Sequence, residues 1–203
     1  MNEKIERRYD INLLNGEEET KGRIYGRPVV FNSVTDLGFC DEIIDADALN
    51  ECDMKDVRLC LNHDTSYVYA RSRNNTPNST MQLGIDAQGL TFDAVLDVDN
   101  SARAKDLYSA ISRGDIDQMS FMFTVEGERW ENVSSEHPTR HITKIGKIFE
   151  ISAVPFPAYE DTSIYARDLV GALENARTSL ENERAEERAK KIQMLEEKLN
   201  LME

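Results

Sequence analysis

Three residues that can cooperate in nucleophilic catalysis sit on apolar, strand-like runs: Ser120, His63 and Glu150. Ser120 lies in GDIDQMSFMFTVEG, where period-two alternation puts Ser120, Met122 and Thr124 on one face and Phe121, Phe123 and Val125 on the other. A serine hydroxyl is a weak nucleophile until a neighbouring base takes its proton. His63 follows the apolar run VRLCLN, and neutral imidazole is the usual base near pH 7. A third group must orient that imidazole. Glu150, in KIFEISAVPFPAY, offers a carboxylate, and His141, in TRHITKI, is the alternative. Residue types alone do not single out this set, because most strand serines are structural and most glutamates are solvated.

Other chemistries have less support. His137 and His141 are four apart, a chelating spacing on a helix, but Pro138 and the β-branched run after it oppose a helix there. His137 is therefore expected as a solvated loop residue. A metal-dependent hydrolase built on His63, His137 and His141 lacks a carboxylate-rich ligand motif, so no metal and no cofactor are expected. Cys40, Cys52 and Cys60 match no zinc spacing and stand in no activating motif. They are expected as free thiols, mostly buried.

The elements that must position these groups are mostly strands. Runs at 5–14, 22–31, 57–61, 67–71, 80–84 and 90–96 are β-rich, and IDAQGL supplies Asp and Gly for a hairpin turn. One internal helix is expected, with Asn100 or Ser101 as N-cap, an apolar face of Ala104, Leu107, Tyr108 and Ile111, and Gly114 at C′. Strands resume over 116–125 and within 142–154. From Asp168 onward Ala, Glu, Lys, Arg and Leu dominate and no Pro occurs. Leu173, Ala176 and Leu180, then Ile192, Leu195, Leu199 and Met202, fall at heptad-like spacings around a middle with no apolar seam. As one helix this stretch would span about 54 Å, too long to fold back entirely on a small body. The division expected is a body of residues 1–167 and a helical tail of 168–203, either a coiled-coil or scaffold-like tail or a helix packed on the body.

The chain has 203 residues, 40% hydrophobic and 31% charged, which suits one domain with an appendage. Its net charge of −14 argues against nucleic-acid binding, since phosphate backbones repel an acidic surface. Of that charge the tail carries only −3, from nine acids and six bases. No run approaches the ~20 apolar residues of a membrane span, and the amino terminus has no signal-like apolar region. The last glutamate follows an unfinished heptad, so a longer natural chain is conceivable.

The order NHD, QGLTFDAVL, DLYSAISRGDIDQMSFMF, FEISAVPFPAYEDTSI closely resembles the prohead proteases of tailed phages and prophages. These capsid-maturation serine proteases are similar in fold to the herpesvirus maturation protease. The resemblance runs from about Lys21 to about Tyr165, and RGDIDQMSF and EISAVPFPAY are its most specific segments. It implies an α+β, mostly β body, a herpesvirus-protease-like β-barrel with peripheral helices and the helical tail. It also implies Ser120 as nucleophile, His63 as base and Glu150 as third member. The herpesvirus relatives use a second histidine in the third role, which keeps His141 in reserve. Backbone N–H groups, with Arg71 as an added candidate, would hold the oxyanion. Implied partners are the major capsid protein and scaffold as substrates, the chain itself by self-cleavage, and further copies in a homo-oligomer, but no nucleic acid and no membrane. The implied place is the host bacterial cytoplasm, inside the assembling procapsid. Two departures stand out: Met122 replaces the family's usual Gly two residues after the serine, and Ala70-Arg71 replaces a Gly-Arg pair. The competing reading is a catalytically inactive scaffolding or assembly chaperone of the same fold.

Overall fold

The computed structural model of the chain describes residues 11–13, 21–155 and 166–201. The expected strand at 5–14 falls within them only as β1 (Ile11–Leu13), and residues 156–165, most of VPFPAYEDTS, lie outside them. One sheet has the order β1-β2-β8-β7, with β1 at one edge, then β2 (Arg23–Val30) and β8 (Gly89–Val95), and β7 (Met81–Asp86) at the other edge. The larger sheet runs β3 (Val34–Asp36), β4 (Asp41–Ile44), β10 (Thr139–Val154), β5 (Asp56–Leu61), β6 (Ala70–Arg73), and β9 (Gln118–Glu131) pairs with the far side of β10. The architecture is α+β, mostly β, as expected. A closed barrel is not formed among the described residues: both strand orders are open, and no hydrogen-bonded ladder joins first strand to last.

The 16-residue β10 organises the larger sheet. Its first residues pair in parallel with β4, its last with β5, while β9 runs antiparallel along its whole length. A long strand can serve two short neighbours end to end on one edge, which is why β3 and β4, only three and four residues long, left little periodic signal. Ile24, Val29, Leu90 and Phe92 from the smaller sheet and Val57, Leu59, Ile145, Ile148 and Ile151 from the larger are buried together, as their alternation requires. The β7–β8 hairpin closes at Gly89, φ 145°, where an added Cβ would lie 2.0 Å from the Val29 carbonyl oxygen. Only glycine fits that approach.

The internal helix α1 (Ala102–Ser112) takes Ser101 as its cap: the side-chain oxygen accepts the Ala104 N–H at 3.2 Å. Ala104, Leu107 and Ile111 are buried, and Gly114, φ 75°, ends the helix. The long helix α2 (Ala166–Asn200) behaves differently along its length. Ala176 and Leu180 are buried, Trp130 Nε1 donates to Ser179 Oγ at 3.0 Å, and Arg184 donates to the carbonyls of Val133 and Ser135, both at 2.9 Å. The first heptad-like set thus seats the helix against the β9–β10 loop. Residues 190–198 are all exposed, Ile192 and Leu195 at 57% and 59%.

Candidate active site

The register of the larger sheet lines up the groups singled out by sequence. Ser120 on β9 is opposite Ser152 on β10, which is opposite Cys60 on β5. One step along, Met122, Glu150, Arg58 and Arg71 form a second row across β9, β10, β5 and β6. Met119, Ile151, Ala153, Val57 and Leu59 fill the core, so these alternating neighbours project from the opposite face. A β-bulge makes the arrangement possible. Ile148 pairs with Phe123 and Glu150 with Met122, leaving Phe149 as an extra residue on β10. Without that insertion Glu150 would share the core-facing side with Ile148.

His63 reaches this face from beyond β5. Asn62 N–H extends the β5–β10 ladder to the Ala153 carbonyl at 3.0 Å, and then Asn62 and His63 adopt φ of 53° and 58°. Two successive left-handed residues fold the chain back, and Asn and His tolerate that region better than most side chains do. The imidazole then spans two partners: Nε2 lies 2.9 Å from Ser120 Oγ and Nδ1 lies 2.6 Å from Glu150 Oε1. A carboxylate only accepts, so Nδ1 carries the proton toward Glu150 and Nε2 is left to accept the Ser120 hydroxyl. Glu150 is 1% exposed, and its other oxygen accepts the Ser152 hydroxyl. The loop after His63 is tied to the start of α1: Tyr67 OH lies 2.8 Å from Ser101 Oγ, and the Arg103 guanidinium sits 4.7 Å over the Tyr67 ring.

The other sequence candidates lie elsewhere. His141 is nine residues from Glu150 on the same strand, roughly 30 Å away at about 3.3 Å per residue, with Nδ1 2.7 Å from Asp45 Oδ1. It therefore does not meet His63. Arg71 sits three strands from β9, about 14 Å at about 4.8 Å per step, and donates to both oxygens of Asp56 at 2.6 and 2.7 Å. Its Nε and Nη2 are held there, three strands away from the strand that carries Ser120. His137 is exposed at 41%, its Nε2 3.1 Å from Asp41 Oδ1. The three histidines are thus in three separate places and do not converge on one ion. Asp36, Asp41 and His137 offer ligand atoms within 4.8 Å of one another, but two of the three are exposed surface groups that pair among themselves.

All three cysteines are free thiols. Burial pushes Cys40 and Cys60 up to about 12 and Cys52 up to about 11, and the neighbouring Glu150 charge adds to the rise at Cys60. Thiolate chemistry is disfavoured at all three. A cavity of about 540 Å³ lies away from Ser120, between α2 and β9–β10; its Arg140 is paired with Glu42 and Glu128.

Ser152 is the residue of this cluster that sequence reasoning passed over. Its signal was the i, i+2 spacing from Glu150, which on a strand gives a shared face.

No curated protein and no solved structure gives a significant match to the chain. A family profile does: caudovirus prohead serine protease, matching residues 8–175. The match spans most of the sequence, and the chain belongs to the caudovirus prohead serine proteases.

Proposed function

We propose that the chain is the endopeptidase that cuts the major capsid protein and scaffold during prohead maturation, with Ser120 as nucleophile, His63 as general base and Glu150 as the group that orients it. The observation that carries this reading is the unbroken series from Ser120 Oγ through His63 to the buried Glu150 carboxylate, at 2.9 and 2.6 Å. Ser120 Oγ attacks the scissile carbonyl while its proton passes to His63 Nε2. The imidazolium is stabilised by Glu150 and returns the proton to the leaving amine, and water then hydrolyses the acyl-enzyme by the same route. Glu150 lies beneath His63 and away from bulk water, so its charge acts at short range with little screening.

Self-cleavage, a homo-oligomeric state and action inside the procapsid in the host cytoplasm belong to the same proposal. So does kinship in fold with the herpesvirus maturation protease, for which the mixed six-stranded sheet behind the catalytic groups is the support. The division into a 1–167 body and a 168–203 helix is retained likewise. In it the proximal half of α2 is a clamp on the body and the exposed distal half is free to meet another protein. Among the described residues no helix is long and apolar enough to cross a membrane.

Co-expression with the major capsid protein and scaffold of the same phage or prophage, followed by intact-mass measurement, tests the function. Wild type is expected to yield a shortened capsid or scaffold chain, and Ser120→Ala the full-length one. Full-length products from both would favour the inactive assembly chaperone.

A further inference from the structure

We infer that Ser152 is a positioning residue of the active site, a fourth member that locks His63 to Glu150; the inference rests on the catalytic reading above. Ser152 lies in the centre of the row formed with Ser120 and Cys60 and is 0% exposed. Its hydroxyl makes two bonds whose directions are dictated by chemistry. The backbone N–H of His63 donates to Ser152 Oγ at 3.0 Å, and Ser152 Oγ donates to Glu150 Oε2. An amide N–H cannot accept and a carboxylate cannot donate, so one hydroxyl serves both with no alternative arrangement.

Together with the contact between Glu150 Oε1 and His63 Nδ1, these bonds close a ring that starts at the main chain of His63 and returns to its ring nitrogen. The ring ties down two freedoms. His63 sits at φ 58°, a region that side-chain-bearing residues occupy only when held, and Ser152 holds its N–H. The Glu150 carboxyl could otherwise rotate about its last torsion, which is soft; with both oxygens engaged it cannot. The hydroxyl thus sets where Nε2 falls relative to Ser120 Oγ without touching the nucleophile or the substrate.

A fluorophosphonate probe reads this without knowledge of the natural cleavage site. Ser120 Oγ forms a bond to phosphorus, the P–F bond breaks, fluoride leaves, and the hydroxyl proton goes to His63. Ser152→Ala is expected to lower the second-order labelling rate about 10- to 100-fold, the scale of a small misplacement of a reacting group. It should also shift the acid limb of the pH profile downward. Without the Ser152 bond the Glu150 carboxyl is free to turn away from His63, and the imidazolium loses part of its stabilisation. Ser152→Cys keeps a donor and an acceptor at the position but weakens both bonds, and should give a smaller loss with the same direction of shift. A hydroxyl with only a structural role would change melting temperature and leave the limb where it is. Wild-type rate and an unshifted limb in a folded Ser152 variant overturn the inference, as does collapse of the fold in both. Ser120→Ala separates the two readings: if it does not label while the Ser152 variants label normally, this inference alone fails, and if it labels normally the catalytic reading fails.

Discussion

Glu150→Gln exchanges one carboxylate oxygen for an NH₂ group in a site 1% exposed to solvent, with almost no change of shape. In the native site Oε1 faces His63 Nδ1 at 2.6 Å and Oε2 accepts from Ser152. The amide can be placed in two ways, and each damages the site. With NH₂ toward His63, Nδ1 must become the acceptor, the proton moves to Nε2, and His63 can no longer take the proton of Ser120. With NH₂ toward Ser152, the imidazole keeps its tautomer but the developing imidazolium faces a neutral carbonyl in place of a charge. Loss of the carboxylate in an analogous triad costs about 10⁴ in turnover, which is about 5 kcal/mol of barrier at 1.36 kcal/mol per decade. Glu150→Gln should therefore cut the fluorophosphonate labelling rate and capsid cleavage about 10³- to 10⁴-fold. Circular dichroism and melting should remain close to wild type, because the side chain is isosteric and a buried charge has been removed. A folded Glu150→Gln protein working within tenfold of wild type would refute the argument that this carboxylate sets the state of His63.

The remaining predictions concern acid stability, the thiols and the long helix. Arg27 holds both oxygens of Asp86 at 2.6 Å, and with the N–H groups of Gln88 and Gly89 it lowers the carboxyl from 3.8 to about 2. A depressed folded-state value contributes stability above pH 3.8 that is lost as pH falls toward 2. Asp86→Asn should lower the urea midpoint at pH 7 and leave it unchanged near pH 2. Iodoacetamide at pH 8 should leave Cys40 and Cys60 unlabelled in the native protein and label them after denaturation, with no loss of activity in the native sample; rapid native labelling would contradict the burial. Leu180→Ala, which empties a buried site between α2 and the body, should cost about 2–5 kcal/mol in urea unfolding. Deleting residues 190–203, whose described side chains are exposed, should leave the melting temperature unchanged.

What could be read from the chain in advance was what local chemistry determines. Ser101 and Gly114 bracket α1 because a side-chain acceptor and a left-handed glycine satisfy helix ends wherever they occur. The face of Ser120 followed from alternation, since β9 is regular around it. Long-range pairing was not legible. Nothing local says that one edge of β10 carries β4 and then β5, so the short polar strands β3 and β4 were overlooked. The face of Glu150 depended on the bulge at Phe149, which simple alternation from Ile148 would have contradicted. The partner of Arg71 is Asp56, fifteen residues earlier on the adjacent strand, and local sequence does not announce that pairing. Ser152 was invisible as a partner because its bond to His63 spans 89 residues.

The central claim is that Ser120 is made nucleophilic by His63. Its most direct test is mass-spectrometric mapping of the fluorophosphonate adduct on wild-type protein, with His63→Ala in parallel. The account predicts a single modified residue, Ser120, and loss of at least 10³-fold in labelling rate when the base is removed. An adduct on any other residue, or undiminished labelling of Ser120 in His63→Ala, would contradict it.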